Sequence, residues 1–200
     1  LQAAAYEGNE SVVRLLLERG VEVNAQGGFY GSALQAAARE GKESVVRLLL
    51  QHGAEVNAHD GDNGNALQDA AYGGNESVVQ LLLNHGAEVN AQGGEYGNAL
   101  QAAASDGNES IVQLLLQHGA EVNSQGGKDR NALKAAAGNG NESVVRLLLK
   151  HEAKVKGKGG YYGNALQAAA SRGSESVVRL LLEHGAKVEA RGDVHGNALH

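Results

Sequence analysis

Histidine is the side chain best suited to proton or metal chemistry near neutral pH. Of the eight in this 200-residue chain, five stand at one regular interval: His52, His85, His118, His151 and His184, each 33 residues from the next. Glu109, Ser110 and their equivalents recur at the same interval. Units repeated so evenly stack about 10 Å apart, whereas a metal ion needs its ligands about 2 Å away. The rings therefore do not converge on one ion, and a catalytic serine or carboxylate has no reason to appear six times along a rod. Cysteine is absent, which removes a thiolate nucleophile, a Cys-ligated zinc and a disulfide framework. The glycine-rich run from Gly157 to Gly163 fits neither the Walker nor the dinucleotide spacing and reads as a hairpin tip. Asn9, Asn75, Asn108 and Asn141 each open an Asn-Glu-Ser triplet, the pattern of a glycan acceptor. Each also stands where a helix must begin, so a cap is the expected role. The histidines are expected to cover helix carbonyls. No catalytic residue, metal, cofactor or small-molecule substrate is expected.

The elements that carry these residues follow from the interval itself. Leu1, Leu34, Leu67, Leu100, Leu133, Leu166 and Leu199 each open a near-copy of one text, 33 residues apart. A fixed period of this size means stacked supersecondary units that share a core with their neighbours. Within the copy that starts at Asn98, Ala99, Leu100, Ala103 and Ala104 lie on one helical face, with Asn98 at the N-cap and Gly107 closing the helix. Asn108 is placed to cap a second helix, whose apolar surface is Ile111, Val112, Leu114, Leu115 and Leu116 and which ends at Gly119. An extended segment with a turn follows, through Val122, Gly126 and Gly127. Helices of about ten residues are marginal alone, so stacking must stabilise them. Most of the 29 glycines punctuate these helices and turns, which excludes a flexible linker.

The order Leu-x-x-Ala-Ala-x-x-Gly, then Val-Val-x-Leu-Leu-Leu-x-x-Gly-Ala-x-Val-Asn-Ala, resembles the ankyrin repeat over the whole chain. The resemblance implies an all-α ankyrin-repeat solenoid of helix-turn-helix units joined by β-turn fingers, with residues 1–200 forming one array of about six repeats. The family's Thr-Pro-Leu-His opening stands here as Asn-Ala-Leu-Gln or Ser-Ala-Leu-Gln, which accounts for the absence of proline. The usual finger aspartate survives only as Asp60. The Asn-Ala-Leu-Gln variant and the near-identity of the copies are similar to the arrays of fungal NACHT/ankyrin signalling proteins.

Comparison among the copies separates positions that build the stack from positions left free. The free ones fall at the end of the short helix, where Tyr6, Arg39, Tyr72 and Arg172 stand and Asp69 replaces an alanine. They also fall in the turn that precedes the short helix, where Phe29, Tyr30, Asp62, Glu95, Tyr96, Lys128, Asp129, Tyr161 and Tyr162 stand. All seven aromatic residues are among them. A ring in a shared core slot would not alternate with Asp, Ser, Gly and Lys, so these rings are expected on the surface, where aromatic anchors make binding hot spots. In the ankyrin family the finger tips and short helices line the concave face that grips partners. The resemblance thus implies a non-catalytic protein-protein interaction module, with a rigid spacer or scaffold in a larger signalling protein as the alternative.

Charge is segregated along the chain. Residues 48–127 hold no Lys or Arg and ten Asp or Glu, while residues 128–200 hold twelve basic and seven acidic residues. This gradient would set the register of a partner along a groove. The densest basic patch, Lys150, Lys154, Lys156 and Lys158, lacks the breadth of a nucleic-acid footprint. No apolar run reaches the length of a membrane span. The missing Cys and the capping role of the Asn-Glu-Ser triplets point to an intracellular, cytoplasmic setting. Neither terminal copy carries a polar capping text, so the chain is expected to be a fragment of a longer array whose ends self-stack.

Overall fold

A computed structural model of the chain describes residues 1–28, 31–59, 64–129, 131–155 and 163–188. Six helix pairs follow one another: α1 (Gln2–Glu7) and α2 (Glu10–Glu18), α3 (Ala33–Arg39) and α4 (Glu43–Gln51), α5 (Ala66–Tyr72) and α6 (Glu76–Asn84), α7 (Ala99–Asp106) and α8 (Glu109–Gln117), α9 (Ala132–Asn139) and α10 (Glu142–Lys150), α11 (Ala165–Arg172) and α12 (Glu175–Glu183). Among the described residues there is no strand; isolated bridges occur in the fingers, one of them between Gly93 and Gly97. The expected all-helical solenoid is the fold observed.

The short inner helices, α1 to α11 in odd numbers, lie side by side because their contact surface is alanine. Ala36, Ala37 and Ala38, like Ala102, Ala103 and Ala104, are buried between neighbours. The outer helices contribute the leucines that fill the space between the two rows, with Leu49, Leu82, Leu115, Leu148 and Leu181 fully buried. Inner helices make much more extensive contact with one another than outer helices do. The array therefore bends toward its inner row, which lines the concave face.

Each inner helix from α3 onward is capped as its sequence predicts: Ser32, Asn65, Asn98, Asn131 and Asn164 accept from the backbone N–H three residues on. The glutamine that departs from the usual family text has two tasks here. Gln68 Oε1 accepts from the Asn65 N–H at 3.1 Å, completing a capping box, while its Nε2 donates to Gly97 O at 3.2 Å in the next finger. Gln35 does the same toward Gly64. The histidines act as expected: Nδ1 of His52, His85, His118 and His184 lies 2.8 to 2.9 Å from the carbonyl four residues earlier. A carbonyl only accepts, so the ring nitrogen donates.

The outer-helix asparagines do something other than the capping expected of them. Asn75, Asn108 and Asn141 make no side-chain cap bond. Instead Asn75 Nδ2 donates to Ala38 O and Arg39 O at 3.1 and 2.8 Å, and Asn141 Nδ2 to Ala104 O and Ser105 O at 3.1 and 3.2 Å. These two satisfy the last carbonyls of the inner helix one repeat back, α3 and α7, which would otherwise be orphaned, whereas Asn108 Nδ2 donates to the Asp106 carboxylate.

A second asparagine, after each of the first four outer helices, bonds the following repeat twice. Asn90 Nδ2 donates to Gly119 O at 3.0 Å and its Oδ1 accepts from the Glu121 N–H at 2.9 Å. Asn24, Asn57 and Asn123 repeat the pattern. Lys156, at the same slot of the next copy, has no side-chain oxygen with which to accept. Removing both bonds in Asn90→Ala is expected to lower the unfolding free energy by about 1–2 kcal/mol, since these bonds are solvent-accessible; urea denaturation measures it, and an unchanged midpoint would show the pair to be worth nothing. Outer helices close on glycines in the left-handed region, except that Glu152, at φ 64°, takes this conformation without being glycine.

Candidate functional site

The concave face is set by the slot that follows the alanine triplet of each inner helix. Its occupants are Tyr6, Arg39, Tyr72, Ser105, Gly138 and Ser171, large in the first three repeats and small in the last three. The large side chains build a wall and the small ones leave a trough.

The wall is a ladder drawn from three repeats. The Arg39 guanidinium lies 5.1 Å from the centre of the Tyr72 ring, Tyr72 stacks on Tyr96 at 4.5 Å with 24° between the planes, and the Lys128 ammonium sits 4.7 Å from the centre of the Tyr96 ring. Helix ends supply Arg39 and Tyr72; the fingers after α6 and α8 supply Tyr96 and Lys128. Cation–π contacts at both ends polarise a stacked aromatic pair between them. Carboxylates fix the two cations: Arg39 Nη1 is 3.3 Å from Asp69 Oδ1, and Lys128 Nζ is 2.7 Å from Glu95 Oε1. Adjacent fingers come this close because Gly127 has no Cβ, which would stand 2.3 Å from the Tyr96 carbonyl.

The electrostatics follow from this burial. Loss of water pushes the Asp69 carboxyl up to about 7, against the pull of Arg39 and Gln35. Burial, with Tyr72 adding to it, raises the Tyr96 hydroxyl well above the usual tyrosine range. The hydrogen bond to Glu95 raises Lys128, with burial opposing. Asp129 is raised by burial, which outweighs the lowering influence of Lys128 and Lys134.

Beyond the ladder, an open trough of about 830 Å³ spans the last three repeats. Ser105, Gly138 and Ser171 form its bed with Ala135 and Ala168; Tyr72, Lys128 and Asp129 border it, as do Asp106, Asn139 and Arg172 from the helix ends.

The structure thus gathers Arg39, Asp69, Tyr72, Glu95, Tyr96 and Lys128 into one ladder and sets Asp129 and Arg172 beside the trough. Tyr6 packs against the core at the first repeat. Phe29, Tyr30, Asp62, Tyr161 and Tyr162 lie outside the described residues. Two expectations change. Tyr6, Tyr72 and Tyr96 are half-buried against the core rather than free on the surface, because the small alanines leave a ledge on which a ring can rest. Asp69 lies beneath Arg39, so it acts on the face through that guanidinium.

Ser105, Gly138 and Ser171 fill the same varied slot in sequence but were not among the predicted site residues, because their importance is the space they leave. Sequence reasoning also passed over the ring pair, for which a signal existed: Tyr6 and Tyr30 repeat the 24-residue spacing of Tyr72 and Tyr96.

Ladder and trough sit on a frame shared with known proteins. The crystal structure of the human ASB11 ankyrin repeat domain superposes with a TM-score of 0.85 at 26% sequence identity, over 99% of this chain and 89% of that one. No curated protein matches in sequence. The family model for ankyrin repeats, three copies long, matches residues 1–93 and again 99–192. With nearly the whole length covered by that model and the helix pairs stacked as described, the chain belongs to the ankyrin repeat family.

Proposed function

We propose that the chain is a protein-recognition module that binds a partner protein along its concave face, using the ladder as a rigid edge and the trough as a receiving groove. The observation that supports this reading is that eight positions left free to vary among near-identical copies, Arg39, Asp69, Tyr72, Glu95, Tyr96, Lys128, Asp129 and Arg172, lie along the ladder and the trough. Positions that vary while the frame is held constant are those available to specify a partner. The rings are already braced by their neighbours, so binding costs little of their conformational entropy. The face works by contact, without a catalytic group.

The strapping of each repeat to the next by Asn24, Asn57, Asn90 and Asn123 favours a second reading, in which the array is a stiff spacer within a larger signalling protein of the kind its near-identical repeats resemble. A photo-crosslinking amino acid placed at Ser171 on the concave side or at Gln113 on the outer helix α8 distinguishes the two in cells of the source organism. Recognition by the concave face gives a discrete crosslinked partner from position 171 and none from 113. Crosslinks from neither position, or from 113 alone, would leave the spacer reading in possession.

A further inference from the structure

We propose that the trough receives an extended partner segment carrying a basic and an acidic side chain about three residues apart, the basic one entering over Gly138 between Asp106 and Asp129, the acidic one meeting Arg172. The proposal rests on the concave-face reading and specifies its ligand.

The near end of the trough is rich in acceptors. Asp106 and Asp129 are carboxylates, and Asn139 commits its Nδ2 to Ser105 O and Oγ at 2.9 and 3.1 Å, which leaves its oxygen to accept. Of the two cations that act on Asp129, Lys128 is also bonded to Glu95 and held over the Tyr96 ring, and Lys134 is buried on α9. Asp106 accepts from the neutral amide of Asn108, which leaves its charge uncompensated. Asp129 is half-buried, and burial outweighs the neighbouring cations in raising its carboxyl. A guanidinium or ammonium brought between these groups adds positive charge and donors together.

One repeat further on the sign reverses, with the exposed Arg172 at the end of α11. Repeats stand about 10 Å apart and an extended chain advances about 3.3 Å per residue, which gives the three-residue spacing. The long-range field has the same polarity. The trough lies at the seam between residues 48–127, with no basic residue, and residues 128–200, with twelve basic against seven acidic. Complementarity on both scales directs one orientation of a dipolar segment and disfavours an anionic polymer.

The space above Gly138 makes the test clean. Its backbone is not in the left-handed region, and an added Cβ would meet only Ala168 Cβ, at 3.6 Å. Tyr6 and Tyr72 show that the chain accepts tyrosine at this slot. Gly138→Tyr therefore fills the trough, and it replaces a helix-weakening glycine. The experiment selects displayed 12-residue random peptides on the full 200-residue chain, then measures the winners against wild type, Gly138→Tyr, Asp129→Asn and Arg172→Ala, with circular dichroism confirming that each variant folds. Enriched peptides are expected to share a basic and an acidic residue three apart. They should lose at least tenfold in affinity to Gly138→Tyr and about five- to tenfold to each charge variant. Winners that lack the pair but are lost on Gly138→Tyr would overturn the ligand assignment and leave concave binding intact. Winners indifferent to Gly138→Tyr and to crosslinking from Ser171 would overturn both. A failure to enrich any peptide would overturn the dipolar-segment assignment alone.

Discussion

Replacing Asp69 by alanine is expected to stabilise the array by about 2–4 kcal/mol at pH 8 and by only about a third of that at pH 5. Asp69 is buried on α5 at a slot where the other inner helices carry Ala3, Ala36, Ala102, Ala135 and Ala168, so alanine fits the neighbours already present. Taking a carboxylate out of water costs more than one partner at 3.3 Å returns, which is why the group titrates at about 7 in the fold. A carboxyl raised above its unfolded value contributes stability that is complete below about pH 4 and is lost as the pH rises through about 7. The displacement corresponds to about 4 kcal/mol when ionisation is complete. Urea denaturation of wild type and variant from pH 5 to pH 8 reads the difference directly. A variant less stable than wild type at pH 8 would mean that the Arg39 pair more than offsets the burial. Retention of so costly a group, on the concave face and beneath the ladder's first cation, fits a functional demand for a fixed Arg39.

Leu115→Ala is expected to cost about 2–5 kcal/mol, and to change the form of unfolding as well as its midpoint. Leu115 is fully buried on α8, in the middle of an array whose repeats touch only their neighbours. In such a chain the stability of the whole depends on each interface being sound. A cavity in the fourth repeat weakens both of its interfaces and leaves three repeats on one side and two on the other. Unfolding followed by circular dichroism should then separate into two transitions, the second carrying the longer side. With no tryptophan in the chain, emission comes from tyrosines on both sides of α8, four before it (Tyr6, Tyr30, Tyr72, Tyr96) and two after it (Tyr161, Tyr162), and should separate into the same two transitions. A single transition displaced by less than 0.5 kcal/mol, well below the range for a buried leucine, would show that the site collapses around the smaller side chain.

The frame could be read from the text because its causes are local and repeated. Asn98 caps α7, Gly107 ends it in the left-handed region, and the Ala and Leu triplets face inward, as a single copy already requires. The asparagines at the start of the outer helices were harder. A cap and a strap use the same amide, and the acceptors of Asn75 at residues 38 and 39 lie in the previous copy, where no rule of local sequence points. The concave face was legible as a set of positions and obscure as an object. Slot-by-slot comparison shows that Tyr72 and Tyr96 vary, but stacking is a property of two slots at once, and it needs the large residue in both. Gly138 shows the opposite difficulty: a residue with no side chain announces a helix flaw in sequence and a vacant space in three dimensions.

The asparagine that bonds each repeat to the next has a genetic consequence. Both of its acceptors lie about one period ahead, at residues 119 and 121 for Asn90 and at equivalent places for Asn24, Asn57 and Asn123. The copies that hold Asn57, Asn90 and Asn123 therefore carry one half of the joint at each end, and any of them mates with any other, whereas the copy with Lys156 keeps only the acceptors. Unequal recombination between such similar stretches of coding sequence would insert or excise whole repeats without orphaning a donor or an acceptor at the new junction. Array length, and with it the number of slots open to a partner, can change in one event while the joints remain sound.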